Sequence, residues 1–308
     1  MTNQLFEQAK TYIFTHGRGL DQALFAYHFM DGSEDGVLNA LATFQNEDGG
    51  FGHGLEPDIR ASASSVIATA HAFAIFRELK TPASHVMVQQ AVDFLLEQFD
   101  AQKNIWQIVP PEVELAPHAP WWTYDATDQA FGQFLTNPRA QIIGCLYDYV
   151  ELVPADFLPQ ISARLLEHMA GLPDELFKND FLCYLILAES ENLPNDLCEQ
   201  VQQKLLSSAS ASVVEEPSRW KEYVLRPLGV VSSPDSFLTA AVSQAAIEAN
   251  LDYLVAQQLP DGSWPLPWSW AQVDGAAWSQ AERDWKGAIA VEYLRLLQAF
   301  AYLPHLST

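Results

Sequence analysis

Six polar side chains crowd one glycine-rich stretch of the 308-residue sequence: Glu47, Asp48, His53, Glu56, Asp58 and Arg60, threaded through Gly49, Gly50, Gly52 and Gly54. Glycine permits left-handed backbone and lets a ligand come close. A phosphate-cradling loop wants a lysine and a helix N-terminus, whereas four carboxylates flank this one, so direct phosphate binding is disfavoured unless a divalent cation intervenes. The spacing is not that of an EF-hand. Within the stretch, Glu56-Pro57-Asp58 sets two carboxylates at a separation stiffened by proline, just ahead of a Ser- and Ala-rich helix expected to begin near Ser62. If both project into a closing cavity, their repulsion keeps one protonated beside an ionised neighbour, a pairing suited to general acid or base work. The plainer reading of the same residues has Asp58 capping the helix and Glu56 paired with Arg60.

A second cluster, His118-Ala119-Pro120-Trp121-Trp122-Thr123-Tyr124-Asp125, lies in the longest region without helical pattern, Trp106 to Asp128. Loops of about 20 residues are uncommon in compact domains and often functional. Its carboxylates Asp125 and Asp128 are either proton donors or helix caps. A third cluster puts Trp264, Trp268, Trp270, Trp278 and Trp285 within 22 residues. Aromatic faces stack on sugar rings, stabilise cations or hold apolar molecules, and they equally cover the ends of helices. Trp121, Trp122, Trp268 and Trp270 sit in proline-bearing loops off any helix stripe, so they join His53 and His118 as candidate ligand contacts. Arg219 to Pro227 concentrates three of the scarce cations, as a spot for an anionic group or as surface salt bridges.

The elements that must position these residues are helices. Val88, Val92, Leu95 and Phe99 fall at steps of four, three and four, and Phe157, Ile161, Leu165 and Met169 at steps of four, as do Leu197, Val201 and Leu205. Further helical patterns cover Asn3 to Thr15, Leu20 to Met30, Glu34 to Gln45, Ser64 to Leu79, Pro138 to Val153, Asp174 to Glu189 and Lys286 to Tyr302. Ser233-Pro234 reads as a cap and first-turn proline for a long helix from Asp235 to Gln258. Strand alternation is almost absent, so the chain is read as all-α.

One segment repeats. Phe44-Gln45-Asn46-Glu47-Asp48-Gly49-Gly50-Phe51 matches Gln257-Gln258-Leu259-Pro260-Asp261-Gly262-Ser263-Trp264 at an offset of 213 residues, about four times 53. A weaker copy, Leu95 to Gln98 followed by Trp106, stands 53 residues from the first. A period near 51 to 53 divides the chain into about six two-helix units, each giving one inner and one outer helix, with the last packing on the first. In such a unit the glutamine holds orphan backbone groups at a helix end, Asp-Gly makes the turn, and the aromatic residue plugs the gap to the next unit.

Leu41 to Phe51 and Leu254 to Trp264 resemble the QW repeats of the terpenoid cyclases and protein prenyltransferase β-subunits. The resemblance implies an (α/α)6 toroid over residues 1–308 as a single domain, with a central cavity for an apolar or ring-shaped small molecule. It implies fold better than activity. The Asp-x-Asp-Asp acid motif of class II cyclases does not occur; Asp125-Ala126-Thr127-Asp128 comes nearest and lacks the central Asp. The Asp, Cys and His zinc ligands of the prenyltransferases are not matched either, since Cys183 near Asp180 lies in an apolar helix. No metal and no cofactor is therefore expected.

Composition bounds the alternatives. Asp plus Glu outnumber Lys plus Arg by 39 to 16, and the net charge of −23 repels phosphate backbones and anionic membranes, so nucleic acid is not an expected partner. No apolar run has the length of a signal peptide or of a membrane span, which points to a cytoplasmic protein without stable membrane insertion. Cys145, Cys183 and Cys198 lack CxxC spacing and read as reduced core thiols. Three functions stay open: a cyclase- or transferase-like enzyme with Glu56 and Asp58 or Asp125 and Asp128 as acids; a carbohydrate hydrolase or lyase with the same carboxylates and with tryptophan as sugar platform; and a binding or scaffold toroid. The oligomeric state is open.

Overall fold

In the computed structural model, which describes residues 2–303, apolar stripes become thirteen α-helices, and strand pairing shrinks to one tiny hairpin and a few isolated bridges. The chain divides into two compact units, one of residues 1–41 and 209–308, the other of residues 42–208.

The first unit opens with α1 (Thr2–His16), α2 (Gly19–Phe29) and α3 (Glu34–Ala42). Leu5, Phe6, Ala9, Tyr12 and Ile13 are buried along one face of α1, and Phe6 meets Phe25 and Phe29 of α2 at 5.5 Å between ring centres. Asp21 is fully buried at the start of α2, where its carboxylate accepts the Arg18 backbone N–H and two guanidinium bonds. Stretches from the far end of the sequence complete this unit. They are α11 (Pro227–Val230), α12 (Gln244–Ala256) and the long α13 (Gly275–Ala299), which packs on α1 and α2.

The second unit contains α4 (Val66–Leu79), α5 (Val86–Glu97), the hairpin β1 (Phe99–Asp100) and β2 (Ile105–Trp106), the short α6 (Thr127–Ala130), α7 (Arg139–Asp148), α8 (Phe157–Ala170) and α9 (Lys178–Ala188), and α10 (Asn195–Ser212) runs out of it. One arginine braces three of these helices. Arg77 of α4 holds Asp148 at the end of α7 (Nε to Oδ2, 2.7 Å), the Ile186 carbonyl (2.8 Å) and the Ser190 hydroxyl (3.0 Å) beyond α9.

Several expected boundaries move. Phe99, expected on the Val88 stripe, lies in β1, the helices expected to reach Gln45 and Val153 stop at Ala42 and Asp148, and the one expected from Asp174 starts at Lys178. The helix expected from Asp235 begins at Gln244: Ser236 first closes a single 3-10 turn over residues 237–240 that buries Leu238, and Ser243 then takes the cap, accepting the Ala246 N–H. Serine hydroxyls compete with helical backbone in this way. The final helix starts at Gly275 instead of Lys286, because Asp274 accepts the N–H groups of both Ala276 and Ala277. The helix expected near Ser62 begins at Val66 with Ser65 as its cap, so Asp58 does not cap it.

The matched segments adopt the same turn. Gln45 Nε2 donates to the Gly49 carbonyl (2.9 Å) and to the Met87 carbonyl in the first turn of α5 (3.2 Å). Gln258 Nε2 donates to the Gly262 carbonyl (3.1 Å) and to the Leu5 carbonyl in the first turn of α1 (2.9 Å). Gly49 (φ 85°) and Gly262 (φ 91°) press against Gln90 and Gln8, where a Cβ would come within 2.3 Å and 2.1 Å of a carbonyl oxygen. Both of these carbonyls lie three residues beyond the one held by the glutamine. Asp48 and Asp261 fasten the turns through the Gly50 and Ser263 N–H groups, and Phe51 and Trp264 fill the space behind them, essentially fully buried. The weaker copy keeps the aromatic part: Trp106 donates to the Leu95 carbonyl as Trp264 does to Leu254, each at 2.7 Å. These residues join helices, as their pattern suggests.

Candidate functional site

The glycine-rich segment after the first turn folds back on itself through His53 N–H to the Ala61 carbonyl (3.1 Å), Leu55 N–H to Gly52 (3.0 Å) and Ile59 N–H to Glu56 (3.0 Å). Gly52 allows this because a side chain there would strike the Ala63 carbonyl, and Gly54 (φ 79°) leaves room for the Arg60 guanidinium. The fold turns Glu56 and Asp58 inward, each only 3 % exposed.

Their partners fix the site. Glu56 Oε2 lies 3.3 Å from Nδ1 of His71, in the second turn of α4, and Glu56 Oε1 accepts the Asp58 N–H at 3.3 Å. The residues around Asp58 then reach the second cluster. Ala119 N–H donates to the Asp58 carbonyl (2.9 Å), Arg60 N–H donates to Pro117 (3.0 Å), and Ile59 pairs with His118 as an antiparallel bridge. The carboxylates and the Trp121-Trp122 loop, more than 60 residues apart in sequence, are thus neighbours. Trp122 closes a 3-10 turn whose first residue is Pro120, stacks on Phe131 (5.0 Å, 11°) and is 6 % exposed, with its indole N–H unpartnered; Trp121 is half-buried.

This arrangement can move a proton. A buried carboxylate in contact with an imidazole whose side chain is 32 % exposed offers a path between water and the interior, since histidine changes charge near neutral pH. His118, paired with Ile59 through the backbone, is held by the Ala116 carbonyl (2.9 Å) with Thr123 and Glu114 at 3.5 Å and 3.9 Å.

The remaining candidates lie elsewhere. His53 is exposed and bonded to Asn46 Oδ1 (2.8 Å), and Asn46 in turn holds the Ser62 carbonyl and the Ser64 hydroxyl. Asp125 and Asp128 are exposed, with Asp128 bound to the neighbouring Gln129 N–H, so water solvates both. Trp268 and Trp270 belong to the other unit. There Trp270 is fully buried against Trp278, while Trp268 meets Tyr223 and Trp285 edge-on. His71 is the residue that sequence reasoning missed. Its signal was present: it is the one titratable side chain in the first turns of an otherwise apolar helix that directly follows the carboxylate loop.

A polar cleft of about 290 Å³ opens at the glycine-rich turn, lined by Asn46, Asp48, Ser64, Phe94, Gln98 and Glu112. Among the described residues no group of three His, Cys, Asp or Glu side chains is placed to hold a metal ion, and no helix is long and apolar enough to cross a membrane. Burial raises the thiols: Cys145 to about 12, with Cys183 and Cys198 also shifted upward. They stay protonated and unreactive at neutral pH. The chain matches no known family model, no curated protein and no solved structure.

Proposed function

We propose that the protein binds a small molecule beside Glu56, Asp58 and the Trp121-Trp122 loop and transfers a proton there, with Glu56 as the acid or base and His71 as its link to solvent. The observation that carries this reading is the 3.3 Å contact between the buried Glu56 carboxylate and His71, joined through the Asp58 backbone to an aromatic loop. The architecture goes with the proposal. The repeated glutamine turns, the packing of α1 on α13 and the resemblance to the terpenoid cyclase and prenyltransferase group support a toroid of two-helix units with an apolar or ring-shaped ligand. A cleft of about 290 Å³ at the same turn, with Asp48 and Glu112 in its wall, favours a second reading, a carbohydrate-active enzyme.

Saturation-transfer NMR on the full chain, with farnesol and cellotetraose as probes, tests both. The first reading expects farnesol to bind and Glu56→Gln and Trp121→Ala to weaken it; cellotetraose alone binding selects the second. If neither probe binds, or the substitutions leave binding unchanged, the site assignment fails.

A further inference from the structure

The unit formed by residues 1–41 and 209–308 carries its own cleft, of about 200 Å³, walled by Trp220, Tyr253, Trp264 and Tyr293 and roofed by Pro265 and Pro267. Trp264 stands edge-on to Tyr293 (5.6 Å) and Trp220 edge-on to Tyr253 (5.3 Å), so the rings hold one another in place. Two cations, Arg226 and Lys221, face the same space. That is unexpected in a chain with 39 acidic and 16 basic residues, where a cation ordinarily finds a carboxylate close by.

Neither does. Arg226 lies over the Tyr293 ring and donates Nη2 to the Tyr293 hydroxyl, and no carboxylate pairs with it or with Lys221 among the described residues. The adjacent Glu222 is taken up by Arg219 at 3.6 Å. Glu292, the carboxylate whose charge acts on Tyr293, is exposed. The Tyr293 oxygen accepts from Arg226 and its own proton has no acceptor among the described residues. Burial keeps the phenol protonated, so that proton is available to an incoming oxyanion. Guanidinium, phenol and ammonium thus present donors to one small volume with aromatic walls, a combination that recognises a flat apolar body carrying one negative group.

We propose that this cleft is a binding site for a small ring-bearing oxyanion, an aryl carboxylate or aryl phosphate, with Arg226 and Tyr293 receiving the charged group and the tryptophans the ring. It is separate from the Glu56 site and does not depend on that reading. Size limits the occupant. Cavities of about 150 Å³ hold benzene, and pockets for drug-sized molecules begin near 300 Å³, so one ring and one anionic group fit and a long chain does not.

Isothermal titration of the full chain with benzoate and with phenyl phosphate tests the proposal, with benzyl alcohol as the uncharged control. At least one aryl anion should bind with a dissociation constant of about 1 mM or tighter, benzyl alcohol should bind about tenfold more weakly, and added salt should weaken the anion selectively. Arg226→Gln should reduce anion affinity by about tenfold or more. Because Arg226 also supports Tyr293, the exposed Lys221→Glu serves as the second variant: its thermal midpoint should not move while anion affinity falls. The proposal is overturned if neither anion binds at 10 mM, if benzyl alcohol binds as well as they do, or if the folded Lys221→Glu chain retains full affinity.

Discussion

Gln258 Nε2 lies 2.9 Å from the carbonyl oxygen of Leu5, a hydrogen bond between residues 253 positions apart in the chain. It ties the turn that follows α12 to the first turn of α1.

Replacing Gln258 by alanine removes this bond and the one to Gly262, leaving the Gly262 carbonyl without its donor, and should cost about 1–3 kcal/mol. Gln45→Ala should cost a similar amount in its own unit, because its two bonds are equivalent. Urea unfolding monitored by circular dichroism measures both. A change under about 0.3 kcal/mol in either would show that the turn is held by its glycine and aspartate instead.

Trp264→Ala should destabilise by about 3–5 kcal/mol, since a ring 1 % exposed is lost together with its bond to the Leu254 carbonyl and its contact with Tyr293. Thermal denaturation decides it. An unchanged midpoint would mean that the surrounding helices collapse into the vacated space.

Arg77→Met should cost about 3 kcal/mol at neutral pH by stranding Asp148, whose carboxylate side chain is 8 % exposed. Burial raises the pKa of Asp148 while Arg77 opposes that rise. Without Arg77 the neutral carboxyl is favoured further, so the variant should recover part of its loss on acidification to pH 4. Adding Asp148→Asn should restore stability at pH 7, and a double-mutant cycle reads the coupling.

Asp180 has its pKa pushed up to about 6 by burial alone. A carboxyl whose folded pKa lies above its unfolded value contributes stability in its neutral form, present below about pH 4 and lost as pH rises through about 6. Asp180→Asn should therefore stabilise the protein at pH 7 by about 1–2 kcal/mol, a figure reduced from the full shift because the side chain is partly solvated. At pH 4 it should change little. Equal effects at both values would rule out titration of Asp180 as the cause.

Much of the local architecture could be read from residue order. Gln45, Asp48 and Gly49 act within a few positions of one another, so their match to Gln258, Asp261 and Gly262 carried the turn geometry intact. Element starts were harder, because several caps compete: Ser233, Ser236 and Ser243 can each begin a helix, and burial of Leu238 decides among them. Asp274 was passed over because the residues after it alternate alanine with polar groups and show no clean apolar stripe. At the candidate site, the joining of Asp58 to Ala119 is a tertiary contact between residues 61 positions apart, which no local spacing encodes. Nor was His71 legible, since its contact with Glu56 depends on the rotation of α4, which Ser65 sets. Arg226 and Tyr293, 67 residues apart, meet only through tertiary packing.

The division of the chain into residues 42–208 and a unit assembled from both ends has a consequence during synthesis. The middle unit is complete once Ser208 has left the ribosome. The nascent α1 must by then have waited, its Leu5, Phe6 and Ile13 without the α13 surface that covers them. About 100 further residues are needed, roughly 5–20 s at ordinary elongation rates. During that interval α1 lacks this cover, so residues 42–208 have all their partners before residues 1–41 do.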